Sequence, residues 1–145
     1  MYFKKDVKRG YNAYIDADVD DLGMLMDIGL LVLEPGDTYA IEEPEKETAV
    51  LLFEGDVTMR WAGKTVEASR PDCFRHEAYC LLCPRRVRIE LTAKTHAELF
   101  VQQTDNDRDY EPVLYTPETQ MTPYSGFVWT VGVGTPCQYY SQNKY

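Results

Sequence analysis

The side chains of this sequence that could do chemistry are few and scattered. There are two histidines and four cysteines. His76 stands in Arg75-His76-Glu77, just ahead of an apolar run that begins at Tyr79. An imidazole between a guanidinium and a carboxylate can meet a sugar hydroxyl or the carboxylate of a sugar acid, and loops are where such groups are displayed. Trp61 and Tyr79 add ring faces able to stack on a sugar, although both fall at positions that read as core. Arg75, His76, Glu77, Trp61 and Tyr79 are therefore the candidate substrate-binding residues, against the plainer reading of solvated loop and packing residues. Arg85 and Arg86 could hold a uronate carboxylate, or simply cap a turn. His96 reads as a solvated turn residue. Two imidazoles are too few to cage a transition metal without carboxylate help. No metal site and no cofactor are expected. No catalytic residue is assigned, because Ser69, Ser125 and Ser141 have no evident histidine partner.

Cys80-Leu-Leu-Cys83 has the spacing of a metal or redox pair. It sits in an apolar run that reads as a strand, where residues three apart point to opposite faces. Buried free thiols are the better reading. Four aspartates between Asp16 and Asp21 resemble the start of a calcium loop but lack its glycine and closing glutamate. Glu42, Glu43, Glu45 and Glu47 could bind a hard cation through carboxylate oxygens, or form a solvated acidic loop.

The elements that must position these groups are strands. Ala49–Phe53 is an apolar run, and Glu54-Gly55-Asp56 is expected to break it. Val57, Met59 and Trp61 then alternate with Thr58 and Arg60, and Ala62-Gly63-Lys64 turns the chain back through Thr65–Glu67. Leu22–Leu33 reads as a long strand with a break near Asp27, ended by Pro35-Gly36. Val87, Ile89 and Leu91 alternate with Arg86, Arg88 and Glu90, and Ala97–Gln102 closes the series. No 3.6-residue periodicity appears before residue 103. The expected fold is all-β, a single-domain cupin-like jelly roll. Its parts are an arm and acidic loop over 1–21, a β core over 22–103, and a Tyr- and Pro-rich extension over 104–145. A single domain of 145 residues can bury a real core.

The formal net charge of −9 repels phosphate backbones, so nucleic-acid binding is not expected. No apolar run approaches the ~20 residues of a membrane span, and the N-terminus lacks the apolar segment of a signal peptide. A cytoplasmic setting follows as the expectation. The tyrosine-rich extension suggests a homodimer, since aromatic residues favour interface cores.

Pro35-Gly36, then Leu52-Phe53-Glu54-Gly55 and its hairpin, resemble the first half of a cupin barrel. Arg70-Pro-Asp-Cys-Phe74, Cys83-Pro84 and Thr92-Ala-Lys-Thr-His-Ala-Glu-Leu-Phe100 make the resemblance specific. Over about Gly10–Gln103 the chain is similar to the N-terminal cupin half of the 5-deoxy-glucuronate isomerase family, relatives of the uronate isomerases. That resemblance implies a role in inositol or uronate catabolism and a small sugar or uronic acid as ligand. It also implies that the metal ligands lie in a second half, beyond the part matched here. Where the generic cupin pattern has its histidines, this sequence has Glu42-Glu43-Pro44 and Ile89. A protein of that pathway without its own metal-dependent site is the first expectation. A non-catalytic sugar-binding or scaffold cupin and a carboxylate-based cation binder are the alternatives.

Overall fold

The computed structural model describes residues 6–20 and 23–119, and the backbone of Trp129–Val131 and Thr135–Cys137. Nine strands make the main assembly: β1 (Gly10–Ile15), β2 (Asp27–Leu33), β3 (Thr38–Ile41), β4 (Lys46–Trp61), β5 (Lys64–Arg70), β6 (Cys80–Cys83), β7 (Ile89–Ala93), β8 (Ala97–Asp105) and β9 (Val113–Tyr115). β10 (Trp129–Val131) and β11 (Thr135–Cys137) pair with each other. The described residues contain no helix, and so none that could cross a membrane.

The assembly is a jelly roll of two sheets sharing one strand. The larger sheet runs β1-β2-β8-β4-β6-β9; in the smaller, β7 pairs with both β3 and β4, and β5 pairs with the other edge of β4. All pairings are antiparallel. Between the sheets lies one core, built from Leu31, Val50, Leu52, Met59, Leu91 and Leu99 among others, each 0% exposed.

The expected break at Glu54-Gly55-Asp56 is instead a bend inside a strand of 16 residues. From Lys46 to Glu54, β4 pairs with β8; from Gly55 to Trp61 it pairs with β5, and from Val57 onward also with β7. The register slips between Leu52 and Glu54, a bulge that turns the chain from one sheet into the other. Gly55 makes the turn possible. Its φ is +104°, and a Cβ there would lie 2.3 Å from the His96 carbonyl oxygen. No other residue type satisfies both constraints.

Arg70 fastens this corner. It is fully buried at the end of β5, opposite Gly55. Its guanidinium donates to the Leu52 carbonyl (2.7 Å), the His76 carbonyl (3.0 Å) and the Cys73 carbonyl (3.1 Å). One side chain thus joins β4, β5 and the 71–79 loop.

The Leu22–Leu33 strand begins only at Asp27, because Leu25 takes a positive φ of 56° and Asp27 is anchored to Lys46. The returning strand runs beyond Thr65–Glu67, and Ser69 and Arg70 complete β5. Part of the expected extension joins the sheet, since β9 pairs with β6. In the extension the sequence has a strand-like run, Gly126–Val133, of which only β10 falls among the described residues.

Two substitutions test the corner. Arg70→Met leaves buried carbonyls without donors and should cost about 3 kcal/mol or more, at ~1–3 kcal/mol for each unmet group. Gly55→Ala should cost about 2 kcal/mol or more through strain and contact. Both are read from urea midpoints at an unchanged slope.

Candidate functional site

Arg75, His76 and Glu77 lie together in the exposed 71–77 loop. Asp72 organises it: Oδ1 accepts the Phe74 and Arg75 N–H groups at 2.9 and 2.8 Å, and Oδ2 lies 3.0 Å from His76 Nδ1. Tyr79 follows, half-buried against the core, and its carbonyl accepts the Leu52 N–H at 3.0 Å. Trp61 is elsewhere. It is 4% exposed, at the far end of β4 and paired with Ile89 and Lys64. Six residues of strand separate it from Gly55, about 20 Å of chain at ~3.3 Å per residue. The five candidate residues therefore do not converge on one site. The Trp61 indole N–H is buried without a hydrogen-bond partner.

The space between the sheets is filled with hydrocarbon. Ile41, Ile89 and Trp61 are cross-strand neighbours on β3, β7 and β4 and are 8%, 0% and 4% exposed. Both histidines are on the outside, with side chains about half exposed. A metal of the kind the cupin fold can carry would need imidazoles or carboxylates facing inward. The described inward positions of β3 and β7 do not fit such a group.

The acidic stretches are internally balanced. In the Asp16–Asp20 turn, Asp20 accepts the Asp16 N–H, and Lys46 Nζ bridges Asp18 and Asp27 at 2.8 Å each. Hydrogen bonds to these carboxylates raise the Lys46 pKa. Burial pushes the Asp27 carboxyl up, but the Lys46 ammonium and the Ala17 N–H outweigh it and hold its pKa below the usual range. Along Glu42–Glu47 the carboxylates diverge. Glu42 pairs with Arg88 at 3.6 Å, while Glu47 accepts from Asn106 (2.6 Å) and Tyr110 (2.9 Å). Arg85 pairs with Asp109 at 3.0 Å.

His96 is more than a solvated turn residue. Its Nδ1 is 2.9 Å from Glu34 Oε1, and its Nε2 is 3.7 Å from Glu98. The Glu34 hydrogen bond above all raises its pKa. Glu54, His96 and Glu98 bring one potential ligand atom each within 4.8 Å of one another. With Nδ1 taken by Glu34, only Nε2 is left to face Glu98.

A concave surface among the described residues lies at the barrel mouth. Tyr11, Tyr39, Ile41, Glu42, Glu43 and Gln103 line a cleft of about 220 Å³. Tyr11 and Tyr39 stack at 6.2 Å with planes 16° apart. Burial raises the pKa of both phenols, so both are neutral hydroxyls. Tyr11 lies over Gly29 of the neighbouring strand, where a Cβ would come within 2.3 Å of its ring. Gln103 donates to Thr48 at 3.1 Å and also lines a second cleft of about 360 Å³ with Lys46, Asp18 and Leu25. Tyr11, Tyr39 and Gln103 were not legible as residues of one cleft. Each reads as an ordinary strand residue; the pairing of β1 with β2 and of β2 with β8 brings Tyr11 and Gln103 to one end, and β3 of the smaller sheet brings Tyr39 against Tyr11.

Cys83 faces the core and Cys80 the opposite face of β6, as strand alternation requires. Burial pushes the Cys80 thiol up to about 11 and that of Cys83 to about 12. Redox and metal-binding cysteines are shifted the other way.

This architecture is that of a cupin. The chain belongs to the KduI/IolB family, whose model matches residues 2–126. Among solved structures it is similar to an IolB-like protein of Salmonella typhimurium, with a TM-score of 0.68 and 19% identity, over 78% of this chain and 44% of that one. The chain thus spans less than half the length of that relative. It is also similar to the salicylate 1,2-dioxygenase of Pseudoaminobacter salicylatoxidans (TM-score 0.51, 20% identity, 64% of this chain and 25% of that one). A third similar structure is the Cnp3 cupin domain of Schizosaccharomyces pombe (TM-score 0.51, 8% identity, 66% and 60%). No curated protein matches the sequence.

A pH-dependent contribution follows from His96. Its folded pKa is raised, so its stabilisation is fully present below the ordinary value of 6.5 and is lost as pH rises through the folded value. The difference in Tm between the wild type and His96→Gln should be largest near pH 5.5 and shrink above neutrality.

Proposed function

We propose that this KduI/IolB cupin serves inositol or uronate breakdown as a ligand-binding module, without a metal-dependent isomerase centre of its own. The observation that carries this reading is the filled interior. Ile41 and Ile89 occupy inward positions at the mouth end, so among the described residues a ligand finds room at the mouth rather than between the sheets. The 220 Å³ cleft there holds about seven waters at ~30 Å³ each, the scale of a single sugar-like ring. Its lining suits hydroxyl groups: tyrosine faces, the Gln103 amide, and the Glu42 and Glu43 carboxylates as acceptors. No lysine or arginine is among its lining residues, so neutral polyols should bind better than uronates. Aldose–ketose isomerisation needs a base at the α-carbon and a polarised carbonyl. No pair of described residues in the cleft is placed to supply both, and that chemistry is assigned to a second cupin half.

A thermal-shift series with inositols, glucuronate and galacturonate tests the reading. A ligand at ten times its Kd stabilises by about 1.4 kcal/mol, which raises Tm by about 3–6 °C. Inositols should give the larger shift, and Glu43→Ala and Tyr39→Leu should abolish it. No shift with any of these compounds overturns the ligand-binding reading. Turnover of an aldose substrate by the purified chain alone overturns the non-catalytic one.

A further inference from the structure

The bend that joins the two sheets also gathers four side chains on the outside. At the start of β8, His96 and Glu98 stand on either side of Ala97, which is fully buried in the core. β2 flanks β8 on one side and β4 on the other. The register that pairs Leu33 with Ala97, carried one step further, sets Glu34 against His96. On the other flank Glu54 pairs directly with Glu98.

The bulge decides that last pairing. Leu52 pairs with Leu99, and both lie in the core. Without a register slip, Glu54 would come opposite Ala97 and turn inward with it. The slip after Leu52 re-aims Glu54 to the outer face, beside Glu98. Gly55, next in the chain, packs on the His96 carbonyl. Backbone contacts as well as sheet pairing therefore hold Glu54 and His96 together.

The result is a pair of carboxylates without a base. Like charges directly opposite each other across two strands repel. Where carboxylates meet elsewhere the chain supplies the cation, as Lys46 does for Asp18 and Asp27. Among the described residues no lysine or arginine pairs with Glu54 or Glu98. Arg9 is within electrostatic reach of Glu34 but is held by Asp37. His96 Nε2 stops 3.7 Å from Glu98, too far for a hydrogen bond. The ring itself is set as metal-bound histidines are. Its Nδ1 is spent on a carboxylate, Glu34 at 2.9 Å, which fixes its orientation and directs Nε2 at the gap. Ligand atoms each ~2.1 Å from one ion lie about 3–4.2 Å apart. Glu54, His96 and Glu98 offer theirs within 4.8 Å of one another, and small glutamate rotations close the difference.

We propose that Glu54, His96 and Glu98 form a binding site for a divalent transition metal of the Zn²⁺ class, with water completing the coordination. One imidazole with two carboxylates suits such an ion and offers too few oxygens for Ca²⁺ or Mg²⁺. The two carboxylates balance the charge of a dication. The ion would tie β8 to β4 at the bend, on the outer surface. It would lie at the opposite end of β8 from Gln103 and the mouth cleft. This is not a site between the sheets, where the inward positions carry hydrocarbon.

Calorimetric titration of the full chain with Zn²⁺ at about pH 8, where protons compete weakly for the imidazole, tests this. One Zn²⁺ per chain should bind and raise Tm. His96→Gln and Glu98→Gln should abolish stoichiometric binding. Glu34→Gln, which frees the ring without removing a ligand, should weaken it about tenfold. Glu54→Asp keeps the charge at the bend but draws the carboxylate back by one methylene, and should bind more weakly with the apo Tm held. His76→Gln and Cys73→Ser should leave the affinity unchanged. Co²⁺ in place of Zn²⁺ should give d–d bands without thiolate charge transfer. Absence of stoichiometric Zn²⁺, a thiolate band, or an affinity unmoved in folded His96→Gln and Glu54→Asp proteins overturns the proposal. The thermal-shift response to inositols is independent of these results.

Discussion

A guanidinium sealed away from water decides the shape of this protein. Burying a charged group is costly unless every donor is met. Arg70 meets the cost with backbone carbonyls from Leu52, Cys73 and His76. Burial lowers its pKa, though an arginine retains its charge at any ordinary pH. Charge-assisted hydrogen bonds of this kind are directional as well as strong. The guanidinium therefore fixes where β5 ends, where the 71–79 loop must run, and which carbonyl of β4 points inward before the bend. Gly55 and Arg70 face each other across that bend, one supplying the backbone freedom and the other the restraint.

Much of this was legible beforehand, for a physical reason. Alternation survives in the strands of the small sheet because one face of each is wet, so Ile89–Leu91 and Val57–Trp61 announce themselves. It fails in β2, β4 and β6, where both faces are apolar, and there the sequence reveals strand identity but not orientation. The Glu54-Gly55-Asp56 signal was ambiguous in kind. A glycine between polar residues suits a reversing turn and a bulge equally, and the pairing partners on either side decide between them. Arg70 is silent as well. Nothing local distinguishes a buried guanidinium from the exposed Arg75 five residues later.

The candidate cleft was less legible than the fold. Arg75, His76 and Glu77 are polar and adjacent, so they attract notice, but Asp72 organises their loop at a distance from Trp61. The mouth cleft is built instead from residues spread between Tyr11 and Gln103, on strands adjacent in space but remote in the chain. Ile89, by contrast, could be read directly, because an isoleucine cannot serve as a ligand wherever it lies. The structure adds that Ile89 is fully buried in the core between the sheets.

A single strand serving both sheets has a consequence for how the molecule can be divided. There is no seam along which the sandwich could be cut into two autonomous halves, because every hydrogen-bond ladder of the small sheet is tied through β4 to the large one. Chain breaks, insertions and permuted termini are tolerable only in exposed connections such as the Asp16–Asp20 turn or the 71–77 loop. The protein must acquire or lose its architecture as one piece.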